Sequence, residues 1–164
     1  MGAKKSDATG GTPATVALTV AGVEFTGHPY EHDPRSPAYG LEAAEKLGVD
    51  PERVFKTLLV LADGELAVGV VPVAQQLDLK ALAVALGRKR AEMAPPALAE
   101  RKTGYVVGGI SPIGQKTPSP TVIDESAILC ETVFVSGGRR GFDVELAPDD
   151  LVAVTNGQYA AIAK

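Results

Sequence analysis

Residues 54 to 71 constrain this chain more than any other stretch. Val54–Leu61 (VFKTLLVL) and Leu66–Val71 (LAVGVV) are two apolar runs of strand length, with Asp63-Gly64 between them. That dipeptide favours the left-handed backbone angles of a tight hairpin turn. Strand side chains alternate between faces, so Lys56 shares a face with Val54, Leu58 and Val60, while Phe55, Thr57 and Leu59 point the other way. Both faces are apolar, which predicts a strand covered on both sides. Lys56 breaks the pattern, and an ammonium is seldom buried without a partner. Three readings follow for it: an ion pair with a carboxylate, a side chain that snorkels out at a strand end, or the wall of a cavity that receives an anion.

Caps and breakers set out the other elements. Thr12-Pro13 opens a helix, a hydroxyl cap followed by proline at the first helical position, and Gly22 closes it. Val23–Thr26 (VEFT) reads as a short strand, and the proline-rich GHPYEHDPRSP as loop. A second helix runs from Tyr39 to Leu47 and stops at Gly48, and Asp50-Pro51-Glu52 caps one further turn. Asp78 caps a helix with Leu79, Leu82, Ala83 and Leu86 on one face, ended by Gly87. MAPPALAERKTG predicts another helix, and Ala147-Pro148-Asp149 opens a last one. Four more strands are expected, at Tyr105–Val107, Thr121–Ile123, Thr132–Val135 and Phe142–Leu146. Hairpins mix with isolated helices, and regular strand–helix alternation is absent. That predicts an α+β fold whose mainly antiparallel or mixed sheet curls into a barrel.

At 164 residues the chain has room for one domain. Residues 1–11 are small and polar and read as a disordered tail; 12–164 read as a single domain. The start MGAKKS matches an N-myristoylation pattern, but no second membrane signal follows and no apolar run is long enough for a span. A cytoplasmic protein with no membrane partner is expected. The net charge of −4 argues against DNA binding and against nucleic-acid binding by phosphate neutralisation alone. The basic clusters Arg88-Lys89-Arg90, Arg101-Lys102, Lys116 and Arg139-Arg140 read first as solvated surface. One cysteine, Cys130, forms no internal disulfide, and two histidines without metal-site spacing make no credible zinc centre. No metal and no cofactor are expected.

Two further segments carry chemistry. Gly104–Lys116 (GYVVGGISPIGQK) sets glycines beside a strand, where a ligand can approach main-chain N–H groups closely. Val135–Leu146 (VSGGRRGFDVEL) is a glycine-rich turn between strands, with Asp143 and Glu145 alternating against Phe142, Val144 and Leu146. Asp143 is either a solvent-facing strand residue or part of a pocket wall.

HPYEHDP, EKLGVDPERVFKTLLV, GYVVGGISPIGQK and VSGGRRGFDVEL, in that order and spacing, resemble the matching stretches of the YbaK-type Cys-tRNA(Pro) deacylases. Those enzymes belong to the YbaK/prolyl-tRNA synthetase-associated editing-domain superfamily. The resemblance runs from about Pro13 to the C-terminus. It implies a compact mixed β-barrel surrounded by helices, and the hydrolytic removal of cysteine from tRNA(Pro), with prolyl-tRNA synthetase as a partner. It marks Lys56 as the essential lysine, and Tyr30, Thr57, Gly108, Gly109, Ser136, Gly137 and Asp143 as pocket residues. Tyr39 also falls in the pocket, where close relatives carry phenylalanine.

The chain offers no nucleophile–base triad, and the family answer is substrate assistance. The cysteinyl thiol attacks its own ester, leaves as a cyclic thioester, and water opens the ring. Such an enzyme is an ester hydrolase, or a lyase if classed by its cyclising step. Backbone N–H groups of Gly108 and Gly109 are suitable in kind to hold the oxyanion, and Lys56 supplies positive charge to that oxyanion or to the terminal phosphate. Editing of an alanyl- or seryl-charged tRNA, and a non-catalytic module that docks on tRNA or a synthetase, are the alternatives.

Overall fold

In the computed structural model, which describes residues 11–36 and 39–164, the Thr12 side chain accepts the Thr15 N–H and starts helix α1 (Pro13–Val20). Strand β1 (Thr26–Pro29) follows, then α2 (Tyr39–Leu47) and a 3-10 turn (Pro51–Arg53) capped by Asp50. Strands β2 (Phe55–Ala62) and β3 (Glu65–Pro72) form the expected hairpin, with Asp63 at φ 50° and Gly64 at φ 84°. Asp78 accepts the Ala81 N–H and caps α3 (Leu79–Leu86), which ends on a left-handed Gly87. The remaining elements are β4 (Ala91–Met93), α4 (Pro96–Thr103), β5 (Thr121–Asp124), a second 3-10 turn (Glu125–Leu129), β6 (Val133–Arg139), β7 (Phe142–Leu146), α5 (Pro148–Thr155) and β8 (Gln158–Ala160). The tail expected over 1–11 lies, Gly11 apart, outside the described residues.

The strands make an α+β arrangement of two sheets, ordered β1-β7-β6 and β4-β2-β3-β5-β8. The first is antiparallel; the second is mixed, since β3–β5 and β5–β8 are parallel pairs. A closed barrel is therefore not what forms among the described residues, and that expectation is corrected. Among the described residues the backbone link between the sheets is an isolated parallel bridge, Val54 to Phe134. Farther along the same edge of β2, strand β4 pairs only with Val60–Ala62. Pro95 and Pro96 come next, and proline has no N–H to extend a ladder. Among the described residues no strand covers the edge of β2 between those two contacts.

Several strands also differ from expectation. VEFT is not a strand: pairing begins at Thr26 and runs to Pro29 against Glu145–Phe142. Pro29 is tolerated because β1 is an edge strand. Tyr105–Val107 is loop, since Tyr105 is buried with its hydroxyl donating to Ile113 O at 2.6 Å instead of entering a ladder. The three-residue strands β4 and β8 were not legible in the sequence.

The β2–β3 hairpin is covered on both faces, as its composition requires. Phe55, Leu59, Val68 and Val70 pack with Leu18, Val133, Val135, Phe142 and Val144. On the opposite face Val60, Ala62, Ala67 and Val71 pack with Leu77, Leu82 and Ile162. Each such fully buried Val, Leu or Phe is worth about 1.5–3 kcal/mol, so the hairpin is a rigid support for whatever stands on its free edge.

Candidate active site

That free edge has a defined polarity. Val73 N–H donates to Val54 O, and Ala94 N–H donates to Leu59 O. Successive residues of a strand direct their main-chain groups to opposite sides. Val54, Lys56, Leu58 and Val60 thus turn theirs toward β3, and Thr57 turns its N–H and C=O toward the uncovered side. There the fold leaves a cavity of about 440 Å³. Its walls come from the start of α2, from β2, from Met93 to Ala99, from the Val107-Gly108 segment, and from β6 and β7.

Seven of the residues marked by sequence line this cavity: Tyr30, Tyr39, Lys56, Thr57, Gly108, Ser136 and Asp143. Ser136 and Asp143 are cross-strand partners, and Tyr30 is held beside them by its N–H bond to Gly141 O at 2.8 Å. Gly109 and Gly137, also marked by sequence, are not among the residues that line it. Gly109 packs on the Arg139 backbone, where an added Cβ would come within 2.8 Å, and its N–H is already bonded to Val106 O. It has no free donor for an oxyanion. Gly137 is packed on the Phe142 ring, 2.4 Å from where a Cβ would stand. Sequence reasoning missed the Thr57 main-chain edge and the apolar wall of Met93, Ala94, Pro96 and Ala99. The Pro95-Pro96 pair that stops β4 was the available signal for both.

Lys56 is half-buried, and among the described residues no carboxylate lies within ion-pair distance of it. Burial holds its pKa below the ordinary lysine value. Asp143 is 6% exposed, and burial pushes its carboxyl up to about 7. Burial first, and the neighbouring Asp143 charge second, push the Tyr30 phenol up to about 12. The Thr57 Oγ1 is buried with no hydrogen-bond partner among the described residues. One basic and one acidic group, neither paired among the described residues, thus face the same largely apolar space. Such an arrangement is complementary to a ligand that brings both an anionic and a cationic part.

The other titratable candidates stand elsewhere. His28 Nε2 is 2.9 Å from Glu145 Oε1, and Arg53 lies on the same carboxylate. His32 Nδ1 is 2.7 Å from Glu42 Oε1. Neither histidine lines the cavity, nor does Cys130. Among the described residues no group of three or more His, Cys, Asp or Glu is placed to hold a metal ion. No helix of the described residues is long and apolar enough to cross a membrane.

The sequence profile of the aminoacyl-tRNA editing domain matches residues 36–154. This chain belongs to that family. EbsC of Enterococcus faecalis, provisionally named a Cys-tRNA(Pro)/Cys-tRNA(Cys) deacylase, is 45% identical over 120 residues, 73% of each chain. The proline–tRNA ligase of Maridesulfovibrio salexigens is 31% identical over 100 residues, which are 61% of this chain and 17% of that protein. A solved structure described as a candidate trans-editing enzyme for prolyl-tRNA synthetase superposes with a TM-score of 0.82, covering 93% of this chain and 95% of that one at 24% identity. That last likeness concerns the fold alone. The matched region carries the cavity-lining residues from the start of α2 to β7, and Tyr30 lies just before it.

Proposed function

We propose that this protein is a trans-editing deacylase that removes cysteine from mischarged Cys-tRNA(Pro). Residues 12–164 would act as its single editing domain, in the cytoplasm and without a cofactor. Family membership supports the class of reaction. The observation that carries the reading is the pair of unpartnered opposite charges, Lys56 and Asp143, on the walls of one cavity. An aminoacyl ester on a terminal ribose has a cationic α-amine at one end and phosphates at the other. In this reading Asp143 receives the ammonium, and Lys56 meets the negative charge of the oxyanion or of the terminal phosphate. The Thr57 N–H on the open edge of β2 is a donor of the kind an oxyanion needs.

The substrate supplies the nucleophile. A thiol of ordinary pKa about 8.5 is partly ionised at neutral pH, and a neighbouring ammonium raises that fraction. The thiolate sulfur bonds to the ester carbonyl carbon, the carbon–ribose oxygen bond breaks, and the ribose oxygen takes up a proton. Water then opens the cyclic thioester and releases cysteine. The cavity contributes proximity and a dry wall around the reacting atoms. With a net charge of −4, the chain has little to hold a tRNA body alone. Selection of tRNA(Pro) would then fall to a partner, prolyl-tRNA synthetase. The name of EbsC couples tRNA(Pro) with tRNA(Cys), which favours a second reading in which this chain reads the cysteine and not the tRNA.

A panel of Cys-tRNA(Pro), Cys-tRNA(Cys), Ala-tRNA(Pro) and a seryl-tRNA tests both. Cys-charged substrates should be cleaved at least about a hundredfold faster than the thiol-free ones, since those lack the positioned nucleophile. Equal cleavage of alanyl and cysteinyl esters would overturn the thiol mechanism.

A further inference from the structure

The Arg139-Arg140 pair sits at the tip of the β6–β7 hairpin and reads from sequence as a solvated cluster. Its second member is not free in the fold. Arg140 Nε and Nη2 both donate to Val107 O, at 2.9 and 2.6 Å. The same guanidinium lies 5.1 Å from the centre of the Tyr39 ring. Both Val107 and Tyr39 line the cavity. Gly108, at φ +91°, completes the contact: an added Cβ would stand 2.7 Å from Arg140 Nε and 2.9 Å from the Tyr39 ring. Arg139 points elsewhere, over Phe142 at 4.7 Å.

Other bonds fix the pieces that Arg140 joins. Val107 N–H donates to Glu100 Oε2 at 2.8 Å, so α4 holds the N–H of that residue and Arg140 its carbonyl. Gly109 N–H donates to Val106 O at 2.8 Å. The Tyr39 ring also meets His32 at 5.5 Å, and His32 is bonded to the buried Glu42.

We infer that Arg140 is a positioning residue: its fork clasps the Val107-Gly108 segment to Tyr39 and so fixes one wall of the cavity. The inference deepens the editing reading and rests on it for kinetics only. A lysine keeps the charge but has no planar fork to grip one carbonyl twice while stacking on a ring. The clasp is therefore distinguishable from a simple basic contact to tRNA phosphate.

The experiment compares wild type, Arg140→Ala and Arg140→Lys by amide hydrogen exchange at Val107 and Gly109 and by deacylation of Cys-tRNA(Pro). In Arg140→Ala, exchange at those two amides should rise at least about tenfold as the segment loosens. The value of kcat/KM should fall at least about tenfold, mostly through KM, with Tm within about 4 °C of wild type. Arg140→Lys should fold as wild type and recover only part of the exchange protection and of the KM. Exchange in Arg140→Ala within about twofold of wild type, or full recovery by lysine, overturns the clasp. If wild type releases no amino acid from any charged tRNA, the editing reading fails by itself, and the exchange measurement still decides the clasp.

Discussion

A carboxylate that lines an apolar wall resists ionisation, and Asp143 carries that penalty. Its pKa rises from the ordinary 3.8 to about 7 because burial strips its hydration, a shift worth about 4 kcal/mol at most. The folded state holds this proton more tightly than the unfolded state does. The contribution is thus fully present below about pH 4 and is lost as pH rises through about 7. Asp143→Asn should flatten that decline and unfold later than wild type at about pH 8, read by urea melts across the range. A pH–stability curve parallel to wild type would contradict the assignment. If the ionised form receives the substrate ammonium, the same variant should lose the rise of kcat/KM through about pH 7. Cys130 gives the complementary prediction. It stands off the cavity, and burial raises its thiol pKa, so Cys130→Ser should deacylate within about twofold of wild type. A large loss would return the reacting sulfur to the protein.

At the scale of elements, the caps and the local β2–β3 hairpin were legible and the long-range pairings were not. Thr12, Asp50, Asp78, Gly87 and Gly104 mark helix ends in the sequence and in the fold, because a cap is a local bond between near neighbours. Strand β1 was misplaced because its pairing partner, β7, is more than a hundred residues away and only the register sets its limits. Asp78→Ala should cost about 1 kcal/mol and lower Tm by about 2–4 °C. Deacylation should be unaffected, since α3 contributes nothing to the cavity. Gly108→Ala is the opposite case. Its φ of +91° and the 2.7 Å approach to Arg140 leave no room for a methyl group. It should fall at least about tenfold in kcat/KM while the melting curve moves by less than about 4 °C; unchanged kinetics would show that the segment has slack.

At the scale of the molecule, the sequence marked residues that meet at one cavity but not the shape that gathers them. Lys56 stood out because one ammonium interrupts an apolar strand, and Asp143 because its strand alternates. The cavity itself depends on where β4 stops and where β6 crosses β2, contacts between distant segments that no local pattern encodes. The barrel expectation failed for that reason, and the gap it left is the candidate site. Prolyl-tRNA synthetase should raise the preference for tRNA(Pro) over tRNA(Cys), and a preference unchanged by its addition would remove it as the selecting partner. The most direct measurement is single-turnover deacylation of Cys-tRNA(Pro) at neutral pH by wild type and by Lys56→Ala. The variant should melt within about 4 °C of wild type and react at least about a hundredfold more slowly. A folded variant that releases cysteine at the wild-type rate would contradict the central claim that the Lys56 ammonium serves the reaction.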